Sequence, residues 1–155
     1  MIFFVAAAVA AAYLIGSINF AVIFTKHFTK NDIRDFGSGN AGTTNVMRVG
    51  GIKPGILTFV CDALKGFAAS LLGKYIFGLI ISSDPSLAWA YPVYGAYLCG
   101  LVCMKGHVFP VFYQFRGGKG VAVSVGIYAV CCPKAIIIGL AVFAVVTVLT
   151  KTVSI

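Results

Sequence analysis

Apolar positions fall into five runs set apart by short polar stretches, and the run lengths are the first guide to structure. Residues 2–24 form an Ala-rich run broken only by Gly16-Ser17-Ile18-Asn19. Crossing a ~30 Å hydrocarbon core takes about 20 helical residues, so this run predicts a first span. A polar Ser-x-Asn at that depth is expected to face other helices, where small polar groups bind helices together. Lys26-His27-Phe28-Thr29-Lys30 marks the exit into water, and Asp32-Ile33-Arg34-Asp35 follows, with Arg34 expected as an outer-loop charge. Pro54 suits a helix's first turn and opens a second run over 55–81, long enough to span with tilt. Asp62 and Lys65 lie on it at i and i+3, on one face, where they can pair. Charges at such a position mark a structural ion pair or a functional site, and the spacing favours neither.

Ser82-Ser83-Asp84-Pro85 reads as a turn. A third span is predicted over 86–104, with Trp89, Tyr91, Tyr94 and Tyr97 as an aromatic belt and Pro92 as a kink within it. Residues 121–132 and 135–149 are two shorter runs around Pro133-Lys134. The first of them covers only about 18 Å as a helix, so it must recruit flanking residues or lie where the bundle is thin.

Composition turns these runs into a fold class. Hydrophobic residues make up 60% of the chain and charged ones 10%, with a mean hydropathy of +0.99. Soluble domains carry about 25% charged residues. The expectation is an all-α, polytopic transmembrane bundle of about five spans, forming one domain over residues 1–155. Residues 1–15 resemble a signal segment but lack a basic start and run on, which reads as a first span and not a cleaved leader. Twelve Lys and Arg face four Asp, for a pI near 9.4. In a soluble domain that balance points to nucleic acid. Between apolar spans it points to anionic lipid headgroups or phosphorylated substrates, with no nucleic-acid partner. Lys26, Lys30, Arg34, Arg48 and Lys53 flank one polar stretch, and Lys105, Arg116 and Lys119 lie in another. Lys151 lies at the C-terminal end, and the turns on the opposite side hold only Lys134, so both stretches and the C-terminus are expected in the cytoplasm and the N-terminus outside. The five cysteines all sit in or beside apolar runs and read as packing residues, without disulfide or metal.

The two polar stretches carry the chemistry. Gly37-Ser38-Gly39-Asn40-Ala41-Gly42-Thr43-Thr44-Asn45-Val46-Met47-Arg48-Val49-Gly50-Gly51 combines five glycines with hydroxyls, amides and a fixed cation. Such a loop brings backbone N–H groups close to an anion. Arg116-Gly117-Gly118-Lys119-Gly120 can cradle an anion likewise, but it lacks the GxxxxGK[ST] spacing of a nucleotide-hydrolysing loop. His107 is a potential base near neutral pH, although a lone loop histidine is more often bonded to backbone.

Taken together, Gly16-Ser17-Ile18-Asn19-Phe20, Asp32-Ile33-Arg34, Gly37 to Asn45 with Arg48, Asp62-x-x-Lys65-Gly66, and Gly106-His107-x-Phe109-Pro110 with Gly117-Gly118-Lys119-Gly120-Val121-Ala122 resemble the PlsY family, the bacterial membrane glycerol-3-phosphate acyltransferases. The resemblance runs in order along essentially the whole chain. It implies transfer of a fatty acyl group from acyl phosphate to the 1-hydroxyl of glycerol 3-phosphate, the first step of phospholipid synthesis. The products are 1-acylglycerol 3-phosphate and phosphate, and no cofactor or metal is implied. It further implies a multi-pass protein of the bacterial inner membrane, with active-site loops in the cytoplasm and membrane lipids as partners.

By that resemblance Ser38, Arg48 and Lys119 hold phosphate, with His107 as the remaining catalytic candidate. Gly39, Asn40, Thr44 and Asn45 bind substrate, while Gly117, Gly118 and Gly120 shape the second loop. Ser154 matches a further substrate-contacting serine, although Lys151 stands where the family has Arg and lacks its fork. Family members continue beyond this serine with further spans and a stretch bearing His, Asn and Glu. The chain stops at Ile155, so a fragment, an incomplete gene model or a C-terminally shortened member is the expectation, with little activity from the short chain itself. The rival reading, a small membrane transporter for a phosphorylated solute, needs polar residues through the bilayer, and Asp62 and Lys65 are too few. A non-catalytic scaffold does not account for two coordinated basic loops.

Overall fold

The computed structural model describes residues 1–87 and 90–150, so the expectations for Trp89, Lys151 and Ser154 fall outside it. Seven α-helices follow one another among the described residues: α1 (Ile2–Ser17), α2 (Phe20–Thr29), α3 (Thr43–Gly50), α4 (Ile52–Ser83), α5 (Pro92–Val108), α6 (Val121–Cys131) and α7 (Pro133–Thr150). Single 3₁₀ turns at Ile33–Asp35 and Val111–Tyr113 punctuate the two polar stretches. No strand occurs among the described residues.

The first apolar run is not one helix. Ile18 takes an extended conformation (φ −67°, ψ 115°), and Asn19 restarts the chain as the cap of α2. Its Oδ1 accepts the Val22 N–H at 3.2 Å. Ser17 Oγ donates to the Tyr13 carbonyl at 2.9 Å. The polar Ser-x-Asn therefore bends the run as well as facing its neighbours.

Helix α4 is the axis of the bundle. Its 32 residues extend about 48 Å, more than a bilayer core requires. Pro54 sits in its first turn as predicted, although the helix begins earlier, at Ile52. Small residues let its neighbours come close. A Cβ on Gly73 would overlap the Gly95 carbonyl of α5, and one on Gly66 would overlap the Val123 carbonyl of α6. Gly126 of α6 meets the Ala63 carbonyl in the same way. Between helices in lipid, where hydrophobic burial supplies little attraction, such backbone contact is a main source of adhesion. Ala8 and Ala12 of α1, Ala69 of α4, Cys99 and Cys103 of α5, and Val123 and Ile127 of α6 form the buried centre.

Three predicted details change. Pro92 is the first residue of α5 and kinks nothing, which suits a ring without an N–H to give. The Gly-rich stretch is not loop throughout, because Thr43–Gly50 forms α3 between Gly42 and Gly51. Val46 is buried there against Ala21, Val22, Ile33 and Ala41, which supplies the apolar face the glycine count concealed. Helix α6 does not recruit flanking residues: its 11 residues cover about 16 Å before Pro133 starts α7. Among the described residues, four helical segments are long and apolar enough to cross a membrane, over Ile2–Thr29, Ile52–Ser83, Pro92–Tyr113 and Pro133–Thr150. The short apolar α6 accompanies them.

Candidate functional site

Asn45 organises the first polar stretch. From α3 its Nδ2 donates to the carbonyls of Ile33 (3.3 Å), Phe36 (2.9 Å) and Asn40 (3.2 Å). Its Oδ1 accepts the Ser38 N–H at 3.0 Å. Gly37 lies in the left-handed region (φ 61°), and a Cβ there would strike Asn45 Oδ1, so both its conformation and its closeness require glycine. The side chain expected to bind substrate is thus spent on loop backbone, and it holds Ser38 exposed at the rim.

Asp32 and Arg34 tie this loop to the second one. Asp32 accepts from Arg34 at its backbone N–H (3.1 Å), Nε (3.0 Å) and Nη2 (2.8 Å), and Lys26 Nζ lies 3.1 Å away. Those hydrogen bonds from Arg34 hold the Asp32 carboxyl well below the usual carboxylate range, against the opposing effect of its partial burial. Arg34 Nη1 donates to the Tyr113 carbonyl at 3.1 Å, and its guanidinium lies over the Tyr113 ring. Arg34 is therefore a strut between loops and not the outer-loop charge its position suggested.

The second stretch folds back onto α5. Gln114 and Phe115 take left-handed φ angles of 56° and 58°, and the Phe115 N–H returns to the Pro110 carbonyl at 3.0 Å. The Gly118 N–H donates to the His107 carbonyl at 3.2 Å. A Cβ on Gly117 would overlap that carbonyl, and one on Gly118 would overlap both His107 Nε2 and the Ala41 carbonyl of the first loop. Two adjacent glycines are needed because the loop is wedged between His107 and its partner loop.

The two loops close over a cavity of about 690 Å³. Ser38, Asn40, Thr44, Asn45, Arg48, His107, Lys119 and Gly120 all line it, drawn from sequence positions up to 82 residues apart (38 to 120). Gly39 (φ 69°) belongs to the rim loop and does not line it, while Gly117 and Gly118 back His107. Arg116 does not reach the cavity. Ser154 lies outside the described residues. Sequence reasoning missed the apolar wall: Phe59 of α4, Val121 and Val125 of α6, and Ile136, Leu140 and Phe143 of α7. No spacing singled these residues out, because every face of α7 is apolar. Asp62 also lines the cavity and forms a buried pair with Lys65 at 2.8 Å.

Cations and amide donors at one end of an apolar slot suit a ligand with an anionic head and a hydrocarbon tail. The fold and the site together define a polytopic membrane protein with cationic loops at the head of an apolar-walled cavity. The chain belongs to the glycerol-3-phosphate acyltransferase family, whose sequence profile matches residues 6–155. It is 48% identical over 143 residues to the glycerol-3-phosphate acyltransferase of Thermoanaerobacter sp. (strain X514), covering 92% of this chain and 65% of that one. Against glycerol-3-phosphate acyltransferase 2 of Bacillus anthracis the identity is 45%, over 92% of this chain and 68% of the relative. The fold is similar to the crystal structure of PlsY (YgiH), an integral membrane glycerol 3-phosphate acyltransferase, in its glycerol 3-phosphate form. There the TM-score is 0.79 at 34% identity, over 96% of this chain and 68% of that one. The lysophosphatidic acid form of the same enzyme gives a TM-score of 0.72. The chain thus spans about two-thirds of the length of the relatives it matches.

Proposed function

We propose that the protein transfers a fatty acyl group from acyl phosphate to the 1-hydroxyl of glycerol 3-phosphate. The observation that carries this reading is the convergence of Ser38, Arg48 and Lys119, from two separate loops, at the head of an apolar-walled cavity. Glycerol 3-phosphate and acyl phosphate are both anions, and Arg48 and Lys119 supply the compensating charge. The wall built by α4, α6 and α7 suits the acyl chain. Relatives bearing the acyltransferase name support the reaction class. The glycerol 3-phosphate and lysophosphatidic acid forms of the similar enzyme support the acceptor and the product.

The donor is already activated, so no protein nucleophile is required. The acceptor hydroxyl attacks the acyl carbonyl, a C–O bond forms, the acyl–phosphate C–O bond breaks, and inorganic phosphate departs with the proton. What the chain supplies is orientation and neutralisation of charge on the leaving phosphate. Ser38 and the loop N–H groups complete that shell. The loops face the cytoplasm of a bacterium across its inner membrane, with the N-terminus outside, which accords with the excess of Lys and Arg beside them.

The test is acyl transfer by the protein in lipid vesicles, supplied with palmitoyl phosphate and labelled glycerol 3-phosphate. Arg48→Ala and Lys119→Ala should each lose about 30-fold or more in kcat/KM, as expected when a charged phosphate contact is removed. Lys134→Ala, which removes a cation that does not line the cavity, serves as the control. Equal and small losses in all three would overturn the assignment.

A further inference from the structure

Lys65 sits in the middle of α4 with its side chain only 3% exposed, and its Nζ has three neighbours. It donates to the Ile18 carbonyl at 2.6 Å and meets His107 Nδ1 at 3.0 Å, while Asp62 Oδ1 lies 2.8 Å away as counter-ion. The Ile18 carbonyl is available because the helix breaks there. An ammonium has donors and no lone pair, so the contact with Nδ1 requires a lone pair on that nitrogen. The ring proton must then be on Nε2. Asp62 Oδ1 is 3.6 Å from Nδ1, too far to reward a proton placed between them. A charged imidazolium would set an N–H against the ammonium. His107 lines the cavity, and its Nε2 lies beside Gly118, where a Cβ would overlap it.

We infer that Lys65 is a positioning residue that holds His107 as the neutral Nε2–H tautomer, so that His107 gives a hydrogen bond to bound phosphate and does not act as a base. The donor role rests on the acyl-transfer reading above, whereas the tautomer does not. His107 joins Lys119 and Arg48 as a third donor facing the anion. The role corrects the sequence expectation of a base, because the nitrogen that would take a proton already faces a cation.

The experiment is ¹⁵N–¹H long-range correlation spectroscopy on histidine-labelled protein in detergent micelles, with His27→Gln to assign the signals. The unsubstituted protein should show Nδ1 bare and Nε2 protonated at neutral pH. A Nδ1–H tautomer or an imidazolium overturns the inference, and that outcome is read on the unsubstituted protein without any variant having to fold. Lys65→Met combined with Asp62→Asn, which leaves no buried charge alone, should relax the ring to a mixture of tautomers. If the Nε2–H form persists unmixed in that variant, Lys65 does not position the ring. Inorganic phosphate should shift the Nε2 resonance, and an unmoved resonance removes the donor role. In the vesicle assay His107→Ala should lose about 10- to 100-fold. His107→Gln, whose amide can donate from the same place, should lose clearly less. Equal losses from Gln and Ala would restore the base and overturn the inference. A phosphate-induced shift in a protein without acyl transfer would uphold the donor and overturn the reaction instead.

Discussion

Asn45 offers the sharpest test of how the site is built. Its amide group gathers three carbonyls and one N–H of the loop over 33–40. Two Nδ2 protons cannot fully serve three carbonyls, so the set counts as two to three effective hydrogen bonds. At about 1 kcal/mol net for each, Asn45→Ala should loosen the loop by about 2–3 kcal/mol. The side chain is only 2% exposed, so water does not readily replace what is lost. The Ser38 amide reports this directly, because its hydrogen bond ends on Asn45 Oδ1. If the loop opens locally, amide hydrogen exchange over 37–39 should speed up by about 30- to 140-fold. Exchange in the middle of α4 should stay unchanged, since the bundle centre does not involve Asn45. Asn45→Asp keeps the shape but turns the donor into a fourth acceptor beside three carbonyls, and it should open the loop at least as far as alanine does. Acyl transfer should fall in both variants through a raised KM for glycerol 3-phosphate. Protected exchange at 37–39 in Asn45→Asp would refute the scaffold role and return Asn45 to the surface as a direct substrate contact.

Other outcomes follow from the same geometry. Gly118→Ala should cost at least about tenfold in kcat/KM with the helical circular dichroism kept, because its Cβ overlaps His107 Nε2 and the Ala41 carbonyl; wild-type kinetics would refute the wedge. Asp32 has a folded-state pKa below its unfolded value near 3.9, so its contribution to stability is fully present above about pH 4 and fades as pH falls further. The difference in loop exchange between the protein and Asp32→Asn should accordingly be constant from pH 7 to about 5 and shrink below about 4, and a difference unchanged at low pH would exclude the carboxylate as its source. Single cysteines at Ser38, Lys119 and Asp84, in a cysteine-free background, should react with a membrane-impermeant maleimide in intact cells only at Asp84; labelling at Ser38 alone would invert the topology.

Much of this was legible in residue order. Run lengths located the bundle, and the two glycine-rich basic stretches located the head of the cavity. What the pattern hid has physical causes. Glycine density concealed α3, whose burial depends on Val46 meeting residues from α2 and the 33–41 loop, a contact no local window contains. Arg34 read as an outer-loop charge because the Tyr113 carbonyl, which it meets in addition to Asp32, lies 79 residues away. The apolar wall was invisible among many apolar residues, since every face of α7 is apolar and only packing selects which one lines a slot. Asp62 and Lys65 were conspicuous as charges in a span, yet their spacing could announce only each other and not His107.

That buried pair also accounts for the broken first helix. Interrupting a helix at membrane depth frees backbone groups, and in hydrocarbon each one left unsatisfied costs several kcal/mol. Here the Ile18 carbonyl is taken by Lys65 and the Val22 N–H by Asn19 Oδ1, so the break is largely satisfied by side chains. In the other direction, the freed carbonyl gives the Lys65 ammonium a strong acceptor that a continuous helix would have kept for itself. Ser17 adds a third link by accepting the Val111 N–H at 3.4 Å, while the Tyr13 hydroxyl donates to the Phe109 carbonyl at 2.8 Å. The bend in α1–α2, the ion pair of α4 and the start of the second loop are therefore one connected polar unit. A substitution at Ile18 or Asn19 that restored a straight helix would withdraw the acceptor from Lys65, and through it the constraint on His107. The inner edge of the cavity is thus fixed by a defect in a helical run that carries neither Arg48 nor Lys119.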